Sequence, residues 1–256
     1  MKALKYFLHF LFFDLLTLVT QVGGVIWIIT LLLSKKFKFK KRFVLPVVYL
    51  IFYFLIIPVT ASFFGRTSLP INSKELKCIS WFYPLAFRNY VNPELKNLLI
   101  EVSKSTNQQL IYLDANFPFF DGFPLLPHLS HNDGKKIDLA FYYKTKDNKE
   151  TNTQPSFFGY GNFVKSENKT NNYCKNKGYW QYDITKYLSL FPDKGLKFDT
   201  LRTRKILKTI AQKKNIQKIF IEPYLINKLK LQSYRKIIFH GCHAVRHDDH
   251  IHLQVY

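Results

Sequence analysis

Two long uncharged stretches stand out near the start of the chain. Residues 15–34 contain no charged side chain, apolar character extends back to about Tyr6, and residues 43–65 are also uncharged. A hydrocarbon core of about 30 Å is crossed by about 20 helical residues. The pattern therefore predicts two transmembrane helices, at about 8–33 and 43–65, with Asp14 close enough to a helix end to be tolerated. A signal peptide followed by a buried core helix is the weaker alternative, because no small-residue cleavage site follows the first stretch.

The linker between these stretches, residues 34–42, is strongly basic. Its charged side chains are Lys35, Lys36, Lys38, Lys40, Lys41 and Arg42. The positive-inside rule places such a loop in the cytoplasm and outweighs the opposite indication from Lys2 and Lys5. Residues 1–65 are then a membrane anchor with both of its ends outside. Residues 66–256 form an extracytoplasmic, periplasmic domain at the cell (inner) membrane.

Beyond residue 66 the apolar spacing predicts short helices and strands. Asn92 caps one helix, and Asp199 caps another that runs to about Lys213. Their inward positions are Leu95, Leu98, Leu99 and Val102 in the first, and Leu201, Ile206, Leu207 and Ile210 in the second. Strands are predicted at 110–113, 136–143, 216–221, 236–239 and 250–255, and residues 144–178 form a polar insertion of low order. This pattern indicates an α+β fold, a small antiparallel sheet flanked by helices.

The charge is unusually positive and changes the choice of partners. Lys and Arg number 38 against 17 Asp and Glu, a net charge of +21. Eight basic residues and one acidic residue lie in 1–65, so residues 66–256 carry 30 basic and 16 acidic side chains, a net charge of +14. A basic domain beside a membrane indicates an anionic neighbour such as a cell-wall polymer. Nucleic acid is not expected, because the topology opposes it and no nucleic-acid-binding motif is present.

Three cysteines, Cys78, Cys174 and Cys242, are spread along the domain. An odd number in an oxidising compartment allows one disulfide and one free thiol, and the spacing leaves the pairing open. No CxxC motif is present, so a thiolate zinc site is not predicted. Cys242 lies between two histidines, where half of a disulfide or a small buried residue is favoured over a metal ligand.

Seven of the eight histidines fall in two short stretches. They are His128 and His131 in the first, and His240, His243, His247, His250 and His252 in the second. The turn signal Asn132-Asp133-Gly134 lets the strand carrying Asp138 fold back toward His131. Alternate strand positions share a face, so His250 and His252 point the same way. A hydrolytic zinc site needs three protein ligands and an open position. His131, Asp138 and one of the paired histidines supply them, and the other acts on the bound water.

The segments PHLSHNDGKKIDLAF and RHDDHIHLQV together resemble the penicillin-insensitive murein endopeptidases. These belong to the LAS group of zinc metallopeptidases, which contains the lysostaphin and D-Ala-D-Ala types. The shared marks are His131, Gly134, Asp138 and the His250-Ile251-His252 triplet. The murein branch adds His128 in H-x-S-H and His247 in H-x-x-H-x-H. The resemblance covers about 75–256. The predicted membrane spans lie outside it and depart from the more familiar, freely soluble form.

The resemblance implies a LAS-like fold and a role for each matched residue. His131, Asp138 and His252 would bind Zn²⁺, and His250 would be the catalytic base. His128 and His247 would line the site, stabilising the oxyanion or holding substrate. Asp248 and Asp249 compete with His250 for the role of base. The implied activity is that of a metallopeptidase that uses a zinc-activated water to hydrolyse peptide bonds in peptidoglycan cross-links.

Two other functions fit the same residues. One is a carboxypeptidase that trims peptidoglycan stem peptides. The other is a non-catalytic, zinc-stabilised module that binds an anionic cell-wall polymer. The complete ligand set, together with a candidate base, favours an enzyme. His240 and His243 receive no role from the resemblance and are assigned to the core or to support of the site.

Overall fold

The computed structural model describes residues 2–165, 173–193 and 195–256. The α-helices are α1 (Lys2–Thr20), α2 (Gly23–Phe37), α3 (Lys41–Ile51), α4 (Ile57–Phe63), α5 (Phe82–Leu85), α6 (Pro93–Thr106), α7 (Tyr173–Asn176), α8 (Thr200–Ala211) and α9 (Pro223–Lys228). A π-helical turn covers Phe52–Ile56, and a 3₁₀ helix covers Trp180–Leu188.

The strands are β1 (Thr67–Ser68), β2 (Leu76–Cys78), β3 (Tyr90–Val91), β4 (Leu110–Tyr112), β5 (Lys136–Ala140), β6 (Tyr143–Lys144), β7 (Glu150–Thr151), β8 (Lys197–Phe198), β9 (Ile216–Phe220), β10 (Ile237–Ile238) and β11 (His250–Val255). The predicted mixture of helix and sheet is confirmed. The chain divides into two compact units. The first consists of the chain up to residue 69 with 82–96 and 115–135, and the second of 70–81, 97–114 and 136–256.

Two helical stretches of the first unit are long and apolar enough to cross a membrane, residues 2–20 and 41–63. The second agrees with the predicted span at 43–65. The predicted helix at 8–33 is wrong as a continuous element, because α1 ends at Thr20 and α2 begins at Gly23. The second stretch contains a π-helical turn just before Pro58. Proline has no N–H to donate to the preceding turn, so the regular α-helical hydrogen bonding is interrupted there.

Glycine at position 24 permits the sharp return of α2 along α1. A Cβ atom there would lie 2.1 Å from Thr17 Oγ1 and 2.6 Å from the Phe13 ring, so only glycine allows this approach. The hydroxyl of Thr20 accepts a hydrogen bond from Gly23 N at 2.7 Å and satisfies one unpaired donor at the start of α2. The helix break thus follows from the Gly-Gly pair, whose effect the absence of charged residues does not reveal.

The apolar helices of the first unit share a core with residues beyond position 66. Its buried members are Val22, Ile26, Val48, Ile57, Ala61, Phe87 and Tyr90. The rings of Tyr49 and Tyr53 pack 5.5 and 5.6 Å from the ring of Phe87, and the Tyr49 hydroxyl donates to the carbonyl of Leu85. The helices are therefore an integral part of this unit.

The second unit is organised around a six-stranded sheet with the order β10-β9-β11-β5-β4-β2. The five predicted strands are confirmed as β4, β5, β9, β10 and β11. Strand β11 has the predicted bounds, and the other four are shorter than predicted. The sheet is antiparallel through its centre, but β2 pairs with β4 and β10 with β9 in parallel. The prediction of a wholly antiparallel sheet is wrong at these edges. Strand β2 carries only three residues, too few for an alternating pattern to show.

Both predicted helix caps are confirmed. Asn92 Oδ1 accepts from Leu95 N at 2.8 Å, and Asp199 Oδ1 accepts from the backbone N–H groups of Leu201 and Arg202 at 3.1 Å. The prediction that Leu201 points inward is wrong, since its side chain is 69% exposed. It lies five positions before the buried Ile206, which places it well round the helix from the inward stripe.

The predicted low-order insertion is more regular than its composition suggests. Strands β6 and β7 pair within it, and β6 also pairs with β8. The guanidinium of Arg202 on α8 donates to the carbonyl oxygens of Tyr143 and Thr151 and so ties the hairpin to the helix. The low-order prediction is therefore wrong for residues 144–151, whereas residues 152–165 form no helix or strand. Residues 166–172 lie outside the described part of the chain.

A disulfide joins Cys174 to Cys242 across 68 residues of sequence, and Cys78 is a buried free thiol. Burial raises the pKa of the Cys78 thiol to about 12, which keeps it protonated and unreactive. This resolves the pairing that the sequence left open and places Cys242 outside any metal ligand set.

We expect the disulfide to contribute about 4 kcal/mol to the free energy of unfolding, because it closes a loop of this length in the unfolded chain. Thiol labelling in denaturant should find one reactive cysteine without reductant and three with it. Cys174→Ser should lower the thermal midpoint to that of reduced wild-type protein, which serves as the matched control. Three reactive thiols before reduction would contradict the pairing.

Candidate metal centre

In the first unit, the backbone orients His131. Its side chain is fully buried, and Nδ1 lies 2.8 Å from the carbonyl oxygen of Ala115. A carbonyl can only accept, so Nδ1 carries the proton and the lone pair is placed on Nε2. This is the arrangement of a metal-binding histidine whose other ring nitrogen is held by the protein. The His128 and His131 rings lie 5.4 Å apart, and His131 N donates to His128 O at 2.9 Å.

The predicted turn after His131 depends on Gly134. Its φ of +75° favours glycine, and a Cβ atom there would lie 1.6 Å from Arg66 Nη1. The Gly134 N–H donates to Asn116 Oδ1 at 3.0 Å, so both the turn and the segment carrying Ala115 are fixed. The turn signal read from the sequence is thus confirmed, and its packing partner, Arg66, comes from far along the chain.

In the second unit, the register of two central strands places Asp138 directly opposite His252. Asp138 Oδ1 lies 2.9 Å from His252 Nδ1, and Oδ2 accepts a hydrogen bond from the Tyr160 hydroxyl at 2.7 Å. Asp138 is completely buried. A buried carboxylate costs free energy unless it is hydrogen-bonded, and these contacts meet that need.

His250 stands two positions before His252 and is held by a second carboxylate. Its Nδ1 lies 2.5 Å from Asp249 Oδ1, and Asp249 Oδ2 accepts from Gly161 N at 2.6 Å. Its Nε2 lies 3.7 Å from Asp138 Oδ2. Burial alone would lower the pKa of His250, but the negative charges of Asp138 and Asp249 outweigh it and raise the pKa to about 9. The group is therefore built to hold a proton.

His247 differs from His250 in charge state. Burial lowers its pKa well below 6.5, and the neighbouring His250 and His252 lower it further, so the ring is neutral. The His247 ring lies 4.9 Å from that of His250 and 5.7 Å from that of His252. Its backbone N–H donates to Glu222 Oε1 at 3.0 Å, and Tyr182 donates to Glu222 Oε2 at 2.6 Å.

The two aspartates that competed for the role of base have separate partners. Asp248 pairs with the guanidinium of Arg246 and accepts from the Tyr224 hydroxyl at 3.1 Å. Burial raises the pKa of Asp248 to about 6 although Arg246 opposes the shift. Asp249 instead contacts His250. Asp249 therefore orients the His250 ring, and Asp248 is held in an ion pair with Arg246.

Three buried groups come together as donors that can hold a metal ion. They are His128, His131 and Asp138, whose ligand atoms lie within 4.8 Å of one another. Two imidazoles and a carboxylate are a typical donor set of hydrolytic zinc sites. The group contains two of the predicted ligands, with His128 in place of His252. The 2.9 Å between Asp138 Oδ1 and His252 Nδ1 is close to the ~3.3 Å that separates two ligands on tetrahedral zinc, so His252 also fits.

The two remaining histidines of the second stretch lie at the surface. His240 and His243 are exposed, and their rings pack 4.1 Å from Phe220 and 4.6 Å from Tyr179. Their assignment to the core is wrong. The alternative, support of the site, stays a prediction for His240, whose ring lies 5.7 Å from that of His247. Sequence reasoning missed Tyr160 and Glu222, because no local pattern marks a tyrosine or glutamate whose partners are 22 and 25 residues away.

No protein-family model matches the chain, and no curated protein matches it. The likeness to the murein endopeptidases therefore rests on the two histidine motifs themselves.

Substitution of the ligands should separate the two possible sets. We expect His131→Ala and Asp138→Asn each to abolish stoichiometric zinc binding, because both residues belong to either set. His252→Ala should also do so if the predicted set is correct, whereas His128→Ala should then retain zinc. Metal content after gel filtration, measured by mass spectrometry, gives the answer. Retention of zinc by His252→Ala with loss in His128→Ala would assign the third ligand to His128. His243→Ala, at an exposed ring, is the matched control.

Proposed function

We propose that the chain is a membrane-anchored zinc metallopeptidase of the LAS type that hydrolyses peptide bonds in peptidoglycan cross-links. The observation that carries the proposal is the buried set of donors around Asp138, to which a carboxylate-oriented histidine, His250, is adjacent in space. Metal ligands alone would serve a structural site. An imidazole beside them that can accept and release a proton is what hydrolysis requires.

The donor set fits zinc, with His131, Asp138 and His252 as the proposed ligands. A bound Zn²⁺ would polarise the scissile carbonyl and lower the pKa of a water to about 7. The Tyr160 hydroxyl, which donates to Asp138 Oδ2, and the Ala115 carbonyl, which accepts from His131, hold two of these ligands in place. Such supporting contacts set ligand orientation and basicity.

In this proposal His250 moves the proton. Its Nδ1 is fixed on Asp249, so Nε2 is the nitrogen that would take a proton from water and pass it to the leaving amine. The charges of Asp138 and Asp249 keep the metal-free ring protonated, and Nε2 would be free to accept the proton once the charge of Asp138 is offset by a bound Zn²⁺. Asp249 stabilises the imidazolium that forms, and Gly161 N holds Asp249 in place. Positioned acid–base groups of this kind contribute about 10²–10⁴-fold to rates.

His247 has the properties of a hydrogen-bond donor to the developing oxyanion. It is buried and neutral, and Glu222 fixes its backbone. A neutral imidazole fixed before the reaction can stabilise negative charge on the substrate oxygen without first reorganising solvent. His128 is the second residue proposed to line the site.

Charge and cysteine chemistry support an extracytoplasmic substrate. Residues 66–256 carry a net charge of +14, which suits peptides rich in carboxylates. The Cys174–Cys242 disulfide is the kind of bond that persists in an oxidising compartment. We therefore propose a cell-membrane protein with its peptidase domain outside the cytoplasm.

The helix break revises the proposed topology. The turn after α1 and the residue after α4 contact the same residue, since Gln21 bonds the backbone of Phe119 and the Phe64 ring lies 5.0 Å from the Phe119 ring. The opposite ends, which are the start of α1 and the link at 38–40, then lie on the other side. All eight basic residues of 1–65 are thereby assigned to the cytoplasm, in accord with the positive-inside rule.

This topology places the N-terminus in the cytoplasm and the C-terminus outside. A reporter that is active only in the cytoplasm should give a signal when fused before Lys2 and none when fused after Tyr256. A reporter that is active only outside should give the reverse pattern. An external N-terminus would restore the single span at 8–33, and a cytoplasmic C-terminus would contradict the proposed location of the peptidase.

The activity is tested with the full chain in detergent, incubated with intact peptidoglycan, and with the released muropeptides analysed by mass spectrometry. We expect cross-linked dimers to fall and monomers to rise. His131→Ala should abolish this change by loss of metal. His250→Ala should reduce turnover by at least about 10²-fold while retaining zinc, because it removes only the base.

Each of the other functions predicts a distinct product pattern. Loss of only a terminal residue would assign the chain to the carboxypeptidases. Unchanged peptidoglycan, from folded and zinc-loaded protein that binds it, would favour the non-catalytic binding module. Equal activity in wild-type and His131→Ala preparations would indicate a contaminating enzyme.

A further inference from the structure

The turn between α1 and α2 holds a glutamine whose side chain pairs with distant backbone. Gln21 Nε2 donates to Phe119 O at 3.1 Å, and Gln21 Oε1 accepts from Phe119 N at 2.9 Å. The two residues are 98 positions apart, and Gln21 is 7% exposed. The amide therefore takes the place of a neighbouring strand, satisfying both backbone groups of one residue. Burying the Gln21 amide and the Phe119 backbone groups would cost free energy if they did not hydrogen-bond to each other.

The backbone at Gln21 indicates that this pairing, and not the turn, selects the residue. Its φ is +66°, in the left-handed region that glycine and asparagine adopt most readily. A turn alone would be served better by glycine, which occupies the two positions after Val22. Glutamine is strained in this left-handed conformation, and the hydrogen bonds of its side chain to Phe119 offset that strain.

The paired residue lies in the segment that holds His131. Ala115 O, at one end of segment 115–122, bonds the His131 ring at 2.8 Å. Gly122 N, at the other end, donates to the carbonyl oxygen of Asn132 at 2.8 Å. Phe119 lies between these two contacts. The segment thus forms hydrogen bonds with both the ring of His131 and the backbone of Asn132, the next residue.

Other contacts tie the same segment to the end of the second apolar stretch. The Phe64 ring packs 5.0 Å from Phe119 and 5.1 Å from Phe120, and Arg66 forms an ion pair with Asp121. These contacts come from the end of α4. Gln21 alone among these residues connects the segment to the turn between α1 and α2.

We propose that Gln21 is a positioning residue that fixes segment 115–122 and, through it, the imidazole of His131. The apolar helices are then a working part of the metal centre as well as an anchor. Displacement of the α1–α2 turn would shift His131 and change metal affinity. This inference rests on the proposed function only in making His131 a ligand, because the contacts of Gln21 belong to the chain without metal.

The test compares full-length chains in detergent micelles with and without the amide. Gln21→Met keeps the length of the side chain and removes both hydrogen bonds. In metal-free protein, hydrogen exchange should become faster in residues 115–122, above all at the amides of Phe119 and Gly122. The zinc dissociation constant, measured by chelator competition, should rise about 10-fold or more, as it does when other supporting contacts are lost.

A matched control is available on the same helix pair. Thr30 is also buried, and its hydroxyl donates to Ile26 O at 2.8 Å within α2. Thr30→Val removes a hydrogen bond but none with segment 115–122, so exchange there and zinc affinity should stay as in the wild type. Thermal midpoints of both variants show that each is folded.

A conservative variant supplies a readout that general destabilisation does not. Gln21→Glu in its protonated form presents one donor and one acceptor, as glutamine does, and loses the donor when ionised. Exchange protection of Phe119 should therefore return as the pH is lowered. Gln21→Met has no titratable carboxyl group, so the exchange protection of Phe119 should not return at low pH.

The outcomes separate the inference from the proposed function. Faster exchange in 115–122 with weaker zinc binding supports the positioning role. Exchange and affinity equal to those of Thr30→Val overturn it, as does faster exchange with unchanged zinc affinity. If the wild type binds no zinc, the proposed function fails. The exchange of 115–122 still decides whether Gln21 fixes this segment.

Discussion

The candidate site depends on the buried carboxylate of Asp138. Removed from water, it needs partners for both oxygens, and it has His252 at 2.9 Å and the Tyr160 hydroxyl at 2.7 Å. The antiparallel register that places Asp138 opposite His252 also places His250 two residues away on the same face. A shift of one residue in this register would turn both histidines to the other face. The pairing of β5 with β11 is therefore what converts two sequence motifs into one buried set of donors.

Local rules were enough for the parts of the site that are close in sequence. The turn at Gly134, the strand that carries Asp138 and the shared face of His250 and His252 all follow from short-range patterns. The partners that orient these side chains do not. Tyr160, Glu222 and the Ala115 carbonyl reach the histidines and Asp138 only after folding, and tyrosine or glutamate in a loop carries no signal of such a role.

The same limit explains the errors at the level of the fold. The predicted span at 8–33 joined α1 to α2 because no charged side chain interrupts residues 15–34. The break is decided by how closely Gly24 can approach Thr17, a contact between two helices. Likewise, the polar segment 144–151 gains order from Arg202, which lies on a helix about 50 residues further along. In both cases packing between distant residues overrides the local preference.

The most direct test of a zinc centre built on these residues is X-ray absorption at the zinc edge of the full-length, zinc-loaded protein. The account predicts one tightly bound zinc per chain, coordinated only by nitrogen and oxygen at about 2.0–2.1 Å, with the scattering of two imidazoles. A shell at about 2.3 Å would reveal a sulfur ligand. That result, or the absence of stoichiometric zinc from folded protein, would contradict the account.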